Sequence, residues 1–117
     1  MVKKVGAEIA AQYEVTSHDF MSGDLRGLGS LEDGTPLYFD PIVADAEFKM
    51  TVGGIYPHGA VGFGGGSKLI LPGVAGFATM FHFHTFYPGR GQAVIERTGD
   101  VPDHRDASEA AAGALGL

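Results

Sequence analysis

"FKMTVGGIYPHGAVGFGGGSKLILPG", residues 48–73, decides how this chain is read. Its first seven residues are apolar and strand-prone and stop at Gly53-Gly54, which predicts a β-strand over 48–54. Gly62, Gly64, Gly65 and Gly66 then crowd in front of Lys68, and an apolar segment divided by Pro72-Gly73 follows. A glycine-rich segment just beyond the carboxyl end of a strand is where α/β folds place ligands. Residues without Cβ expose backbone N–H groups and let a bulky anion approach closely. On these residues alone two readings of Lys68 stand side by side: a ligand-contacting lysine, or a solvated charge on a mobile loop. The spacing is not that of a nucleoside-triphosphate loop, because Leu69 occupies the position that needs a hydroxyl.

Working outward, "VKKVGAEIAAQY" (2–13) places Val2, Val5, Ile9 and Tyr13 at helical spacing and predicts an amphipathic helix. "YEVTSHDF" (13–20) predicts a short strand ending at His18-Asp19. "SGDLRGLGSLEDGTP" (22–36) predicts a turn-rich connection with its clearest turn at Asp33-Gly34. "PLYFD" predicts a further strand and "PIVADAEF" a helical turn or loop. Downstream, "SKLILPGVAGFATMFHFHTFY" predicts a buried helical turn and a longer helix, separated by Pro72-Gly73. "PGRGQ" reads as a loop, "AVIERTG" as a strand or helical turn, and "DASEAAAGALGL" as an Ala-rich helix capped by Asp106 or Ser108. The order α–β–β–β–loop–α–α predicts an α/β fold with a three-layer αβα sandwich-like architecture, residues 1–117 forming a single α/β domain or domain fragment.

Bulk composition narrows the function. A length of 117 residues suits one core but is short for an enzyme that closes two domains over a substrate. A net charge of −6 argues against nucleic acid, which needs clustered Lys and Arg. With no cysteine, disulfides, zinc–thiolate and iron–sulfur sites are excluded, so a metal must be held by His, carboxylate or a cofactor's own atoms. The longest apolar run, Leu69 to Phe81, is interrupted and falls short of the ~20 residues of a spanning helix, so no membrane partner is expected. The opening residues lack a secretory apolar core, and the cytoplasm is the expected compartment.

Five histidines are the candidates for chemistry. His58 follows the predicted strand beside the glycine loop, where it suits acid–base work or simply faces solvent. His82 and His84 form H-x-H; on a strand they share a face and can chelate one metal, whereas on a helix they stand about 200° apart and at most one enters a site. The flanking pattern favours the helix, with burial against backbone partners as the plain alternative. His18-Asp19 fits an acid–base pair or a strand-end cap. His104 fits an exposed polar turn, and Arg90 and Arg97 fit surface positions or a carboxylate or phosphate contact.

Taken together, "VGGIYPHGAVGFGGGSKLILPGVAG" (52–76) resembles the signature of the nickel-dependent lactate racemase family, whose N-terminal domain carries a segment like G-G-h-x-P-H-x-x-A-G-[YF]-S-G-G-R-K-x-h-L-P-G, h being apolar. Pro57-His58, Gly62-Phe63, Gly65-Gly66, Lys68 and Leu71-Pro72-Gly73 fall in register. His84 follows where that family keeps a further histidine. Weaker similarity covers almost the whole chain: "VTSHD" looks like the family's N-H-D segment, and "DASEAAAGALGL" like the helix that ends that region. The resemblance implies an isomerase that racemises or epimerises a 2-hydroxy acid, with a nickel-pincer nucleotide as cofactor. It further implies Lys68 as the covalent attachment point, Gly65 and Gly66 as cofactor-binding backbone, His84 as the nickel ligand and His58 as one of a pair of acid/base histidines. Two-sulfur, carbon and histidine ligation of nickel is square planar, as suits Ni(II).

One departure is visible: the family's S-G-G-R-K reads Gly64-Gly65-Gly66-Ser67-Lys68 here, without the hydroxyl and the arginine. The family's proteins run to several hundred residues. The resemblance therefore implies a portion of an N-terminal domain, catalytically incomplete alone, which depends on cofactor-biosynthesis enzymes and on a further domain or a second copy of itself. Two other readings come from different classes: a non-catalytic nucleotide- or anion-binding module, and a fragment whose apolar surfaces drive self-association.

Overall fold

The computed structural model describes residues 2–58, 62–86 and 102–117. The expectations for "PGRGQ" and "AVIERTG" lie outside them. The amino-terminal helix is not continuous: α1 (Val2–Val5) and α2 (Ala7–Gln12) are separated at Gly6, whose φ of 87° is open to glycine and strained for other residues. The predicted strand over 13–20 has no ladder; Glu14 to Asp19 run as irregular chain. The predicted turn-rich connection instead contains β1 (Arg26–Ser30), which pairs antiparallel with β2 (Pro36–Phe39) and is irregular between Gly27 and Ser30. The expected turn between them is present, with the Thr35 backbone N–H donating to Asp33 Oδ1 at 2.8 Å.

Strand β2 organises the core. Leu37 and Phe39 are buried while Tyr38 between them is exposed, the alternation that a pleated strand imposes. On the side away from β1, Phe39 bridges Ala75, Asp40 N donates to the Val74 carbonyl and Gly76 N donates to the Tyr38 carbonyl. Thr79 ties the next helix to the same strand, accepting from the Tyr38 N–H at 2.9 Å. Asp40 ends β2 and starts α3 (Pro41–Asp45), its side chain accepting from Ile42 N with Pro41 in the first turn.

A second hairpin joins β3 (Tyr56–His58) to β4 (Gly62–Gly64), and a 3₁₀ turn (Gly66–Leu69) follows directly. The expected strand over 48–54 is not formed. Residues 49–55 have no ladder partner among the described residues, and Phe48, Met50, Val52 and Ile55 are exposed. A run of apolar residues becomes a strand only where a neighbour pairs its backbone.

Two helices complete the described fold. The expected long helix after Pro72-Gly73 is α4 (Phe77–Phe86). The carboxyl-terminal helix α5 (Pro102–Ala114) starts before Asp106 and Ser108, so neither caps it. Ser108 is buried instead and its hydroxyl donates to the Leu71 carbonyl at 3.0 Å. Ala107, Ala111 and Leu115 recur every fourth residue and enter one core with Leu37, Phe39, Ile70, Leu71, Ala75 and Phe83. The α/β class therefore stands, with strands and helices sharing a single core.

Phe39 is wholly buried at the centre of that core. Phe39→Ala should cost about 3–5 kcal/mol of folding stability, a large part of what a domain of this size has, and chemical denaturation should read it as a lowered midpoint.

Candidate functional site

Lys68 is neither on a loose loop nor fully solvated. It sits inside the 3₁₀ turn, its N–H donating to the Gly65 carbonyl at 3.2 Å and its own carbonyl accepting from Gly73 N at 3.2 Å. Directly behind it, Ile70 and Leu71 are buried, so the backbone from which Lys68 projects is anchored in the core. The side chain is half-buried.

The approach to the lysine is shaped by glycine. Gly65 has a φ of 96°, and a Cβ there would collide with the Gly54 carbonyl oxygen; Gly66 has a φ of 59° and open space on its Cβ side. The chain crosses closely at Gly65 and leaves a gap at Gly66, which only residues without a side chain permit in this conformation. A cavity of about 190 Å³ results, lined by Gly64, Gly65, Gly66, Ser67 and Lys68 with Ile55, Phe63 and Glu109. It combines glycine backbone and two apolar side chains with one amine and one carboxylate. A larger groove of about 530 Å³ lies along α3 and residues 48–52; it is apolar, and its one ionisable side chain among the described residues, Lys49, donates to the Ala46 carbonyl.

The predicted histidines are distributed as follows. His58 is exposed at the end of β3, opposite Gly62 across the hairpin. His82 and His84 are on a helix, as the flanking pattern predicts, and they diverge: His82 is half-buried with Nδ1 3.0 Å from Thr35 Oγ1, while His84 is exposed in the last turn of α4 beside the Phe83 ring. Neither His58 nor His84 lines the lysine cavity. Among the described residues no three His, Asp or Glu side chains cluster as a metal site.

His18 pairs with Asp40 rather than with its neighbour Asp19. Its Nδ1 lies 2.8 Å from Asp40 Oδ2 and its Nε2 2.8 Å from the Ala75 carbonyl oxygen. Both neighbours offer acceptor oxygens, a carboxylate on one side of the ring and a backbone carbonyl on the other. The pair straps the irregular segment 14–20 to the end of β2. His18→Ala should therefore destabilise the fold by about 1–3 kcal/mol by removing both contacts, measured as a lower thermal midpoint.

Sequence reasoning missed Glu109 as a cavity residue. The available signal was its isolation: it is the one charged side chain in "ASEAAAGALGL", residues 107–117.

Against known proteins, the family model for the lactate racemase N-terminal domain matches residues 1–94. The chain belongs to the lactate racemase family, as part of its N-terminal domain. It is 30% identical over 111 residues to the lactate racemase of Thermoanaerobacterium thermosaccharolyticum, covering 91% of this chain and 25% of that protein. To the lactate racemase of Lactiplantibacillus plantarum it is 29% identical over 86 residues, 73% of this chain and 20% of that protein. The solved structure of the lactate racemase apoprotein from T. thermosaccharolyticum superposes on the whole of this chain with a TM-score of 0.81 at 28% identity, the chain covering 28% of it. The chain thus spans about a quarter of the length of these relatives and is an incomplete counterpart of the larger proteins. Among the described residues no helix is long and apolar enough to cross a membrane.

Proposed function

We propose that this chain is the cofactor-attaching portion of a nickel-pincer-dependent enzyme that racemises or epimerises a 2-hydroxy acid. The observation that carries the reading is the placement of Lys68: half-buried, hydrogen-bonded on both sides of its backbone, and opening on a glycine-walled cavity. Lys68 holds the cofactor covalently, Gly65 and Gly66 let the nucleotide lie against the backbone, and His84 supplies a nitrogen ligand to the nickel. When bound there, the cofactor would supply a hydride-accepting group for the α-carbon of the substrate. His58 accepts the hydroxyl proton of the substrate and gives it back, a task for which an exposed imidazole is suited.

Residues outside this chain complete the substrate pocket and the second acid/base group in this reading, so the isolated chain is inactive. A second domain or a second copy covers Phe48, Met50, Val52 and Ile55, which are exposed. The cytoplasm, where cofactor-biosynthesis enzymes and nickel are at hand, is the proposed setting.

A second reading, a nucleotide- or anion-binding module without catalysis, is favoured by one observation: Ser67 stands where the family keeps an arginine beside the lysine. One experiment separates the two. The chain is co-produced with the cofactor-biosynthesis enzymes and nickel, then weighed intact and as peptides. A nucleotide-sized increment on Lys68 is expected; an unmodified lysine in folded protein overturns the attachment reading and leaves the binding module.

A further inference from the structure

The segment from Phe48 to Val52 has the composition of a strand and lacks a neighbour. It makes no backbone–backbone hydrogen bond among the described residues, and it runs on through Gly53-Gly54 and Ile55 into β3. Its two faces are distinct. A Cβ at Gly53 would meet Leu69 Cδ1 at 2.8 Å, and the half-buried Lys49 donates to the Ala46 carbonyl, so these two positions turn toward the protein. Phe48, Met50 and Val52 turn the other way and are 82%, 74% and 83% exposed. An exposed apolar strand edge is a template on which another strand can form its ladder.

We propose that this strand is an interface between two copies of the chain, which pair antiparallel about a two-fold axis at Met50. The occupant follows from the self-complementarity of the segment. Centred on Met50, the pairing sets Phe48 opposite Val52 and Met50 opposite its own copy, which joins two apolar stripes on one face. Lys49, the one charge between Phe48 and Val52, then lies opposite Thr51. The neighbouring registers are worse. Centring on Lys49 opposes like charges, and centring on Thr51 leaves Phe48 opposite Gly54. Centring between two residues turns one copy over, so that its stripe leaves the shared face. The surface available is also of the right size. With the flanking Ile42 and Ile55, which are 59% and 75% exposed, the stripe presents on the order of 700 Å² per copy, against ~800 Å² per partner in a standard specific interface. A second copy rather than a further domain then covers Phe48, Met50 and Val52, whether or not Lys68 carries a nucleotide. Ile55 also lines the lysine cavity, so the interface reaches the edge of that site.

The test uses the full chain, which has no cysteine of its own. Sedimentation equilibrium of the wild type should show a mass that rises with concentration from one chain toward two. Met50→Asp sets two carboxylates against each other at the axis and should weaken association at least about tenfold, and Met50→Lys should do the same with two ammonium groups. An equimolar mixture of these two variants should recover it, a rescue that loss of folding cannot imitate. Oxidised Met50→Cys should give a disulfide-linked pair, because directly opposed side chains of paired strands come within disulfide reach. Val52→Cys should link only when mixed with Phe48→Cys. A wild type that stays monomeric overturns the interface. Association that Met50→Asp leaves unchanged places the contact elsewhere and overturns it equally, and self-linking of Val52→Cys without that of Met50→Cys overturns the register. A chain that is monomeric alone but binds one equivalent of a separate polypeptide carrying the remainder of the T. thermosaccharolyticum lactate racemase gives the stripe to that partner and overturns the second copy.

Discussion

Lys68→Ala is expected to leave no nucleotide-sized increment anywhere in the chain after co-production with the cofactor-biosynthesis enzymes, and to leave the fold intact. The first half follows from chemistry: Lys4 and Lys49 lie outside the glycine-walled cavity, and alanine has no nucleophile. The second half follows from where the turn is held. Its hydrogen bonds run through backbone atoms of Gly65, Lys68 and Gly73, which alanine keeps, and the buried anchors are Ile70 and Leu71. Loss of a half-buried, partly solvated side chain costs on the order of 1 kcal/mol. Intact mass and a thermal melt on the same sample read both halves. An increment that survives on another residue would locate attachment elsewhere and overturn the reading of the cavity.

His84→Ala should behave differently, and the contrast is informative. The covalent adduct should remain on Lys68, because the bond to the lysine does not involve the imidazole. Nickel should fall from stoichiometric to a small residue after dialysis. Changes in outer-shell partners alone weaken metal affinity about 10–100-fold, and removal of a direct ligand from a square-planar ion is expected to do at least that. His84 is exposed in the last turn of α4, so stability should change by no more than about 0.5 kcal/mol. Mass and metal analysis together then assign two separable roles. Nickel retained at full stoichiometry in this variant would remove His84 from the ligand set and turn attention to His58 or His82.

The interior was partly readable before any coordinates. Alternation in "PLYFD" marks β2, the turn at Asp33-Gly34 is chemically specified, and the helical character of "FATMFHF" separates His82 from His84. Those features depend on neighbours a few residues apart. The errors share the opposite origin. "FKMTV" has strand composition but no ladder partner among the described residues, while "RGLGS", which composition marks as a turn, is a strand because β2 lies beside it. Ser108 resembles a cap by type, yet it is buried because α5 lies against Leu71. His18 is adjacent to Asp19 in sequence and bonded to Asp40 in space.

For the site the division is the same. The order of glycines, Lys68, Pro72-Gly73 and the two downstream histidines is a property of the chain, and by itself it determined the family and the residue on which attachment is proposed. Whether that lysine was a solvated charge or a held group depended on carbonyls at Gly65 and on Gly73, and on the packing of Ile70 and Leu71. Which carboxylate lines the same cavity depended on the register of a helix some forty residues away. Local spacing encodes what one segment can do. Burial and charge pairing are set by segments distant in sequence, and only the tertiary structure brings them to the same cavity.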